Sequence, residues 1–114
     1  MLLGSRVHQY ETLYKNAIEA IKQHLLFKPM IPTENDILLS GTARVWRPGS
    51  IDLDPKMSHL TCFAGGMFAL GAKAFGHASD LEVARKLVDG CIWAYKALPT
   101  GIMPETFHVV PCPG

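Results

Sequence analysis

The sequence predicts a mainly α-helical domain with antiparallel helical hairpins and one short β-hairpin. Apolar residues recur every three or four positions in three segments, a spacing typical of amphipathic helices. Between the first two segments, a stretch rich in β-branched and apolar residues contains a Pro-Gly turn, which indicates a β-hairpin. The 114 residues are 48% hydrophobic and 18% charged, so we expect one domain with a sizeable core.

The charge balance argues against several classes of partner. Eleven basic and ten acidic residues give a formal net charge of +1, and the basic residues are spread along the chain. Nucleic-acid grooves need clustered cations, so no nucleic-acid partner is expected. The longest apolar run, 62–70, is about half the length that crosses a bilayer, and residues 1–6 do not resemble a signal peptide. We therefore expect neither a transmembrane helix nor a signal peptide.

The first helix is predicted over Val7–Leu25. Its apolar residues fall on one face and its charged residues on the other, so one face should be buried. Pro29 and Pro32 end the helix, because the residue before a proline is pushed out of the α region. A loop is expected to continue to about Asp36.

The β-hairpin is predicted to follow, with strands at about 37–46 and 51–54 around the Pro48-Gly49 turn. Polar and apolar residues alternate in the second strand, so we expect one face to be wet and the other packed. Asp52 and Asp54 then face solvent. A catalytic pair of aspartates is the alternative.

The second helix is predicted over Ser58–Phe75, with Ser58 as its N-cap and Gly76 as its left-handed C-terminal residue. Apolar residues cover nearly its whole circumference, so the helix is either buried or in need of a partner. Gly65-Gly66 costs about 1 kcal/mol per glycine relative to alanine. We therefore expect another helix or a ligand to approach the backbone there.

The third helix is predicted to begin at Ser79 and to end before Pro99. Ser79 and Glu82 have the spacing of a capping box, in which each side chain satisfies a free backbone amide of the first turn. Its apolar face is predicted to contain Leu81, Ala84, Leu87, Val88, Cys91 and Tyr95. The tail Thr100–Gly114 is rich in proline and glycine and is expected to be irregular.

Two cysteines are expected to face each other across the second and third helices. The short turn around Gly76-His77 makes these helices an antiparallel hairpin, and Cys62 and Cys91 are equidistant from that turn. A disulfide is geometrically sensible there, and two buried reduced thiols are the alternative. A third reading makes Cys62 a nucleophile with His59 one turn away.

His59 and Glu105 are the residues with the most chemical interest. His59 lies at the start of the apolar helix, where it is either a structural histidine or part of a ligand site. Glu105 lies between apolar neighbours, so it is either a carboxylate with a perturbed pKa or a solvated loop residue. The remaining histidines share no ligand spacing and are assigned to surface or capping positions: His8, His24, His77 and His108.

Three stretches carry a longer and more specific pattern: KMSHLTCFAGGMFALGA at 56–72, Cys91, and GIMPE at 101–105. Together they closely resemble the class I α-1,2-mannosidases, glycoside hydrolase family 47, and most of all the Golgi-type members. The resemblance extends over nearly all 114 residues. It implies a segment of an (α/α)7 barrel, a barrel of seven helical pairs, of which residues 1–114 would form roughly a quarter.

The resemblance also implies an activity. The family consists of calcium-dependent, inverting glycosidases that trim α-1,2-linked mannose from high-mannose N-glycans in the lumen of the endoplasmic reticulum and Golgi, or as secreted enzymes. Some are anchored in the membrane. The motifs that carry the acid and base carboxylates and the calcium ligand are not found in this sequence. We therefore expect the chain alone to be inactive and to need the remainder of the catalytic domain as its partner.

Carried over position by position, the resemblance makes Cys62–Cys91 the family's disulfide. It makes His59 and Glu105 residues of the sugar pocket, with Leu60 as wall or core. Phe63 is expected in the core. Nothing is carried over for residues 106–114, which include His108 and Cys112.

Three readings follow from the sequence. The first is a fragment of a mannosyl-oligosaccharide 1,2-α-mannosidase. The second is a short non-catalytic mannosidase-like module that binds carbohydrate or another protein, and the intact mass of the natural protein separates it from the first. The third is an unrelated cytosolic helical scaffold, which requires reduced Cys62 and Cys91.

Overall fold

The computed structural model describes residues 7–113, and residues 1–6, where we expected no signal peptide, lie outside the described part together with Gly114. The described chain contains three α-helices, six short strands and one 3₁₀ turn. In chain order these are α1 His8–His24, β1 Leu26–Phe27, β2 Leu39–Ser40, β3 Thr42–Arg47, β4 Ser50–Asp54, β5 Lys56–Ser58, the 3₁₀ turn His59–Cys62, α2 Phe63–Phe75, α3 Ala78–Lys96 and β6 Thr106–His108. The expectation of a mainly helical chain with a short β-hairpin is confirmed, and two further two-stranded ladders were not predicted.

Helix α1 forms within one residue of the predicted range at each end. Its buried residue, Ile18, contacts the core that α2 and α3 share. The segment after α1, however, is not a simple loop. Leu26–Phe27 pairs antiparallel with Leu39–Ser40, a ladder between residues too far apart in sequence for a local pattern to reveal.

Strands β3 and β4 form the predicted hairpin, and Gly49 at its turn has φ +82°, a value that favours glycine. The first strand begins at Thr42 rather than near residue 37. The packed face expected for the second strand forms only in part, because Leu53 packs against the core whereas Ile51 is 42% exposed. On the first strand, Val45 is 65% exposed. Trp46 occupies an irregularity in the register and is also exposed.

Helix α2 begins later than predicted. Ser58 is the last residue of β5 and its side chain caps nothing, so its assignment as an N-cap was wrong. A single 3₁₀ turn links the strand to the helix, and in it the Thr61 hydroxyl donates to the Ser58 carbonyl oxygen over 2.7 Å. The C-terminus of α2 is as predicted, since Gly76 is left-handed with φ +72°.

Helices α2 and α3 form the predicted antiparallel hairpin, and a glycine of α2 lies in tight contact with α3. A Cβ atom on Gly65 would lie 2.8 Å from Val88 Cγ2 and 3.3 Å from the Ala84 carbonyl oxygen. At Gly65, the close neighbour that the sequence predicted is therefore helix α3. Gly66 faces open space.

The predicted capping box of α3 was wrong. The helix begins at Ala78, with no side-chain cap, so Ser79 lies inside the first turn. Glu82 instead accepts hydrogen bonds from Arg85 on the helix surface. Asp80 is buried and forms an ion pair with Lys22 of α1, with Oδ1 and Nζ 2.5 Å apart, which fastens α1 to α3.

The core has two parts. One lies between α1, α2 and α3 and is centred on Ile18, Phe68, Ala84 and Leu87. The other lies under the small ladders and is centred on Phe27, Leu39, Met57 and Cys91. No helix in the described part of the chain is both long and apolar enough to cross a membrane.

The tail is more ordered than predicted. Thr106–His108 forms β6 and pairs antiparallel with β5, with Met57 opposite Phe107. Pro111 then forms a bridge with Pro29. The burial of Met57, which is 1% exposed, explains why this segment folds back onto the chain.

Candidate functional site

The β5–β6 ladder brings His59 and Glu105 together. Ser58 is paired with Thr106 in the last register position, so His59 and Glu105 lie just beyond the end of the ladder. The backbone N–H of His59 donates to the carbonyl oxygen of Glu105 over 2.8 Å. An imidazole and a carboxylate that are distant in sequence therefore occupy adjacent positions.

These residues line a shallow cavity of about 340 Å³ formed by Ser58, His59, Leu60, Glu105 and Thr106. It contains the three residues that we assigned to sugar binding: His59, Leu60 and Glu105. Their convergence is a geometric finding, and their role with sugar remains a prediction. Leu60 is 72% exposed and is therefore wall rather than core.

Glu105 is not embedded in apolar surroundings. Its side chain is exposed, whereas Met103 is only 4% exposed and takes the interior position of this segment. The expectation of an apolar environment for Glu105 was wrong, because Met103 and Phe107 pack toward the core whereas the residues on either side of Glu105 are exposed. The solvated alternative describes Glu105 correctly, and solvation leaves its carboxylate accessible to a ligand.

The structure adds Tyr95 to the site. His59 Nε2 and Tyr95 Oη are 2.6 Å apart, and the two rings meet edge to face at 6.0 Å between centroids. We assigned Tyr95 only to the apolar face of the third helix. A signal was present in the sequence, since His59 and Tyr95 are equidistant from the turn at His77.

Cys62 and Cys91 form a disulfide, as the resemblance implied, with Cα atoms 5.8 Å apart. The interpretations of Cys62 and Cys91 as two reduced thiols, and of Cys62 as a nucleophile, are therefore wrong. The hypothesis of an unrelated cytosolic scaffold is also wrong, because it required both thiols to be reduced. Cys112 is a free, exposed cysteine in the described part of the chain. Its thiol donates to the Pro29 carbonyl oxygen over 3.4 Å.

Phe63 is not a core residue. It is the first residue of α2 and is 75% exposed, as is expected for a side chain that points away from α3. Met67 and Leu70 follow it at helical spacing and are 42% and 60% exposed. We call Phe63, Gly66, Met67 and Leu70 the open face of α2.

The other candidate groups lie away from the cavity. Asp54 accepts a hydrogen bond from Arg44 over 3.0 Å, and Asp52 is exposed on the same strand. His108 lies 3.7 Å from Asp54, between Nε2 and Oδ1. Across residues 7–113, no three His, Cys, Asp or Glu side chains cluster as metal ligands would.

Comparison with known proteins gives the same family as the sequence motifs. The profile described as Glycosyl hydrolase family 47 matches residues 1–113. The human "Mannosyl-oligosaccharide 1,2-alpha-mannosidase IB" is 36% identical over 105 residues, which cover 88% of this chain and 15% of that protein. A "Probable mannosyl-oligosaccharide alpha-1,2-mannosidase 1B" from Neosartorya fischeri is 33% identical over 102 residues, 90% of this chain and 19% of that protein.

A yeast relative is more distant. The "Endoplasmic reticulum mannosyl-oligosaccharide 1,2-alpha-mannosidase" of Saccharomyces cerevisiae is 28% identical over 118 residues, 84% of this chain and 20% of that protein. The chain thus spans 15 to 20% of the length of these three relatives. With the family profile matching almost every residue and relatives above 30% identity covering most of the sequence, the chain belongs to glycosyl hydrolase family 47.

Proposed function

We propose that this chain is a segment of a mannosyl-oligosaccharide 1,2-α-mannosidase and forms one wall of the pocket for a terminal mannose residue. One observation carries the proposal. The hydrogen bond from His59 N–H to the Glu105 carbonyl oxygen holds the two backbones side by side, and both residues line one open cavity. Membership of the family and the names of the relatives supply the chemical class of the ligand.

The cavity suits a polyhydroxylated ring. Each sugar hydroxyl is both a donor and an acceptor, the Glu105 carboxylate accepts through two oxygens, and a neutral imidazole offers one donor and one acceptor. Leu60 supplies an apolar surface for the C–H groups of the ring. These three residues can therefore bind and orient a mannose residue.

Hydrolysis needs more than this wall. An inverting glycosidase uses an acid and a base whose carboxyl groups are about 6.5–9.5 Å apart. Glu105 is the single carboxylate among the described residues that line the cavity. We therefore assign Glu105 to the sugar hydroxyls and to stabilisation of positive charge in the oxocarbenium-like transition state, and the acid and base to the remainder of the domain.

Calcium is proposed to bind in the remainder of the domain as well. When bound, it would supply a fixed positive charge that coordinates sugar oxygen atoms. We propose that this chain's own residues take no part in that coordination, because the motif that carries the family's calcium ligand does not occur in its sequence.

The remainder of the domain is also the proposed partner of the open face of α2. That face presents large apolar side chains to solvent, and its Gly66 leaves room for close approach. We propose that it packs inside an (α/α)7 barrel. The complete enzyme would act on high-mannose N-glycans in the lumen of the Golgi or endoplasmic reticulum.

The test compares two glutamate variants in the complete enzyme. Glu105→Gln keeps the shape of the side chain but removes its charge, and we expect kcat/KM for an α-1,2-linked mannose disaccharide to fall at least tenfold, because a charged hydrogen bond is worth about 1.5–3 kcal/mol. Glu34→Gln, on an exposed loop away from the cavity, is the matched control and should leave kcat/KM unchanged. Equal activity of the two variants would contradict the proposal.

The chain alone provides a second test. We expect it to release no mannose from the same disaccharide, because its cavity lacks an acid and base pair. Turnover by the purified chain would contradict this assignment of roles. Sugar binding without turnover in a natural protein of this mass would instead favour the non-catalytic module.

A further inference from the structure

We propose that Tyr95 is a positioning residue that selects the tautomer of His59, so that the histidine presents a protonated Nδ1 to the cavity. The phenol hydroxyl donates to Nε2, and the proton of the neutral ring is then on Nδ1. In a histidine, the hydrogen bond made by one nitrogen decides which form the other takes. This inference rests on the proposed function only for the identity of the ligand.

The direction of the hydrogen bond follows from the two groups. Nε2 and Oη are 2.6 Å apart, a short separation that is typical of a strong hydrogen bond. A phenol O–H is a stronger donor than a neutral imidazole N–H, and an imidazole nitrogen is the better acceptor. Tyr95 therefore donates and His59 accepts, which leaves Nδ1–H for another partner.

The Cys62–Cys91 disulfide holds His59 and Tyr95 in alignment. Cys62 follows His59 by three residues in the 3₁₀ turn, and Tyr95 follows Cys91 by four residues in α3. Side chains at these spacings lie on the same face of their helix. The Cys62–Cys91 disulfide and the His59–Tyr95 hydrogen bond are thus neighbouring links between the same two elements, and the covalent link fixes the alignment of the other.

The backbone of His59 is fixed independently. Its N–H donates to the Glu105 carbonyl oxygen, so the residue is held both at its main chain and at its ring. With Nδ1 protonated, the cavity would present an N–H donor from His59 next to a carboxylate acceptor from Glu105. One sugar hydroxyl could then accept a hydrogen bond from His59 Nδ1–H, and a neighbouring hydroxyl could donate one to the Glu105 carboxylate.

The test is the tautomer of His59 in this chain, read by long-range ¹⁵N–¹H NMR at about pH 8.5, where an unperturbed imidazole is neutral. Comparison with His59→Gln identifies its signals. We expect Nδ1 to carry the proton and Nε2 to be the acceptor. A proton on Nε2 in the unmodified chain would overturn the inference without need of any Tyr95 variant.

Tyr95→Phe removes only the hydroxyl and should convert His59 to a mixture containing the Nε2–H form. Tyr10→Phe, at a tyrosine 63% exposed on α1, is the matched control and should leave the His59 signals unchanged. A His59 tautomer that is the same in both variants would overturn the inference. The NMR measurement needs no sugar, so the two proposals can fail separately. If Glu105→Gln left kcat/KM unchanged, the proposed function would be contradicted, but the role of Tyr95 in selecting the His59 tautomer would not.

Discussion

Cys62 and Cys91 join the start of α2 to the C-terminal half of α3, with their Cα atoms 5.8 Å apart. The two cysteines are 29 residues apart in sequence, and the loop that the bond closes contains all of α2 and most of α3. A crosslink of this length restricts the unfolded chain, and the chain-entropy model gives it about 3–4 kcal/mol of stabilisation.

We therefore predict that the double variant Cys62→Ala/Cys91→Ala loses about 3–4 kcal/mol in its free energy of unfolding, measured by urea denaturation. Cys112→Ala is the control and should change that free energy by less than about 0.5 kcal/mol, because its side chain is exposed. Without reductant, one thiol should titrate in the denatured chain. Three titratable thiols would show that the disulfide does not form.

Replacing each of the two adjacent glycines of α2 by alanine should change the free energy of unfolding in opposite directions. A methyl group on Gly65 would meet Val88, a stiff side chain, and the backbone of α3, so Gly65→Ala should lower the free energy of unfolding by about 1 kcal/mol or more. A methyl group on Gly66 would meet open space, so Gly66→Ala should raise it by about 0.5–1 kcal/mol through helix propensity. Urea denaturation of this chain measures both. Loss of stability in both variants would mean that Gly66 is also in a close contact.

The buried ion pair between Asp80 and Lys22 should matter for the attachment of α1. Asp80→Asn leaves a buried amide where Lys22 had a charged partner, and we expect a loss of about 1–3 kcal/mol. The loss is moderated because Lys22 also contacts Glu19 at 3.1 Å. The same substitution at exposed Asp52 should cost less than about 0.5 kcal/mol. Thermal melts that do not distinguish the two variants would argue against the pair.

The stability of the chain should fall at alkaline pH. Burial, followed by the negative charge of Asp80, raises the pKa of the Tyr14 hydroxyl. Burial alone would lower the pKa of Lys22, but the carboxylates of Asp80 and Glu19 outweigh it and the pKa is raised. Both groups hold their protons more tightly in the folded state, so their contributions are complete below about pH 10 and are lost as the pH rises through the raised values.

Tyr14→Phe tests this pH dependence. The hydroxyl of Tyr14 is buried without a hydrogen-bond partner among the described residues, and its ring packs against Phe75 at 5.0 Å between centroids. We expect the variant to be at least as stable as the original chain near pH 7 and to lose less stability between about pH 9 and pH 11. Tyr10→Phe should keep the full alkaline loss. An identical pH profile for both variants would contradict the role of Tyr14.

Periodicity predicted the helices well because each buries a face set by nearby residues. Helix α1 and the end of α2 at Gly76 were predicted to within a residue. The start of α3 was also predicted to within a residue, although its capping box does not form, whereas the start of α2 was missed by five residues. The distant segment Thr106–His108 pairs with Lys56–Ser58 and makes it a strand, so Ser58 does not begin α2. At the start of α3, Asp80 is buried because it forms an ion pair with Lys22 of α1.

The site was predictable where it depended on the topology of the hairpin. Cys62 and Cys91 meet because they are equidistant from one turn, and His59 and Glu105 meet because both lie at the same end. The exposed position of Phe63 was not predictable, since sequence pattern alone does not tell which apolar face lacks a neighbour. For Glu105, the sequence left the solvated alternative open but did not select it. Tyr95 was missed because it resembled one more apolar residue of a helix face.

The most direct test of the sugar-pocket assignment is a crystal structure of the complete enzyme that we propose contains this chain, with a sulfur-linked α-1,2-mannose disaccharide that it cannot cleave. The account predicts a mannose hydroxyl oxygen about 2.6–3.2 Å from a Glu105 carboxylate oxygen or a His59 ring nitrogen. A mannose residue bound in the active site with no hydroxyl within hydrogen-bonding distance of either side chain would contradict it.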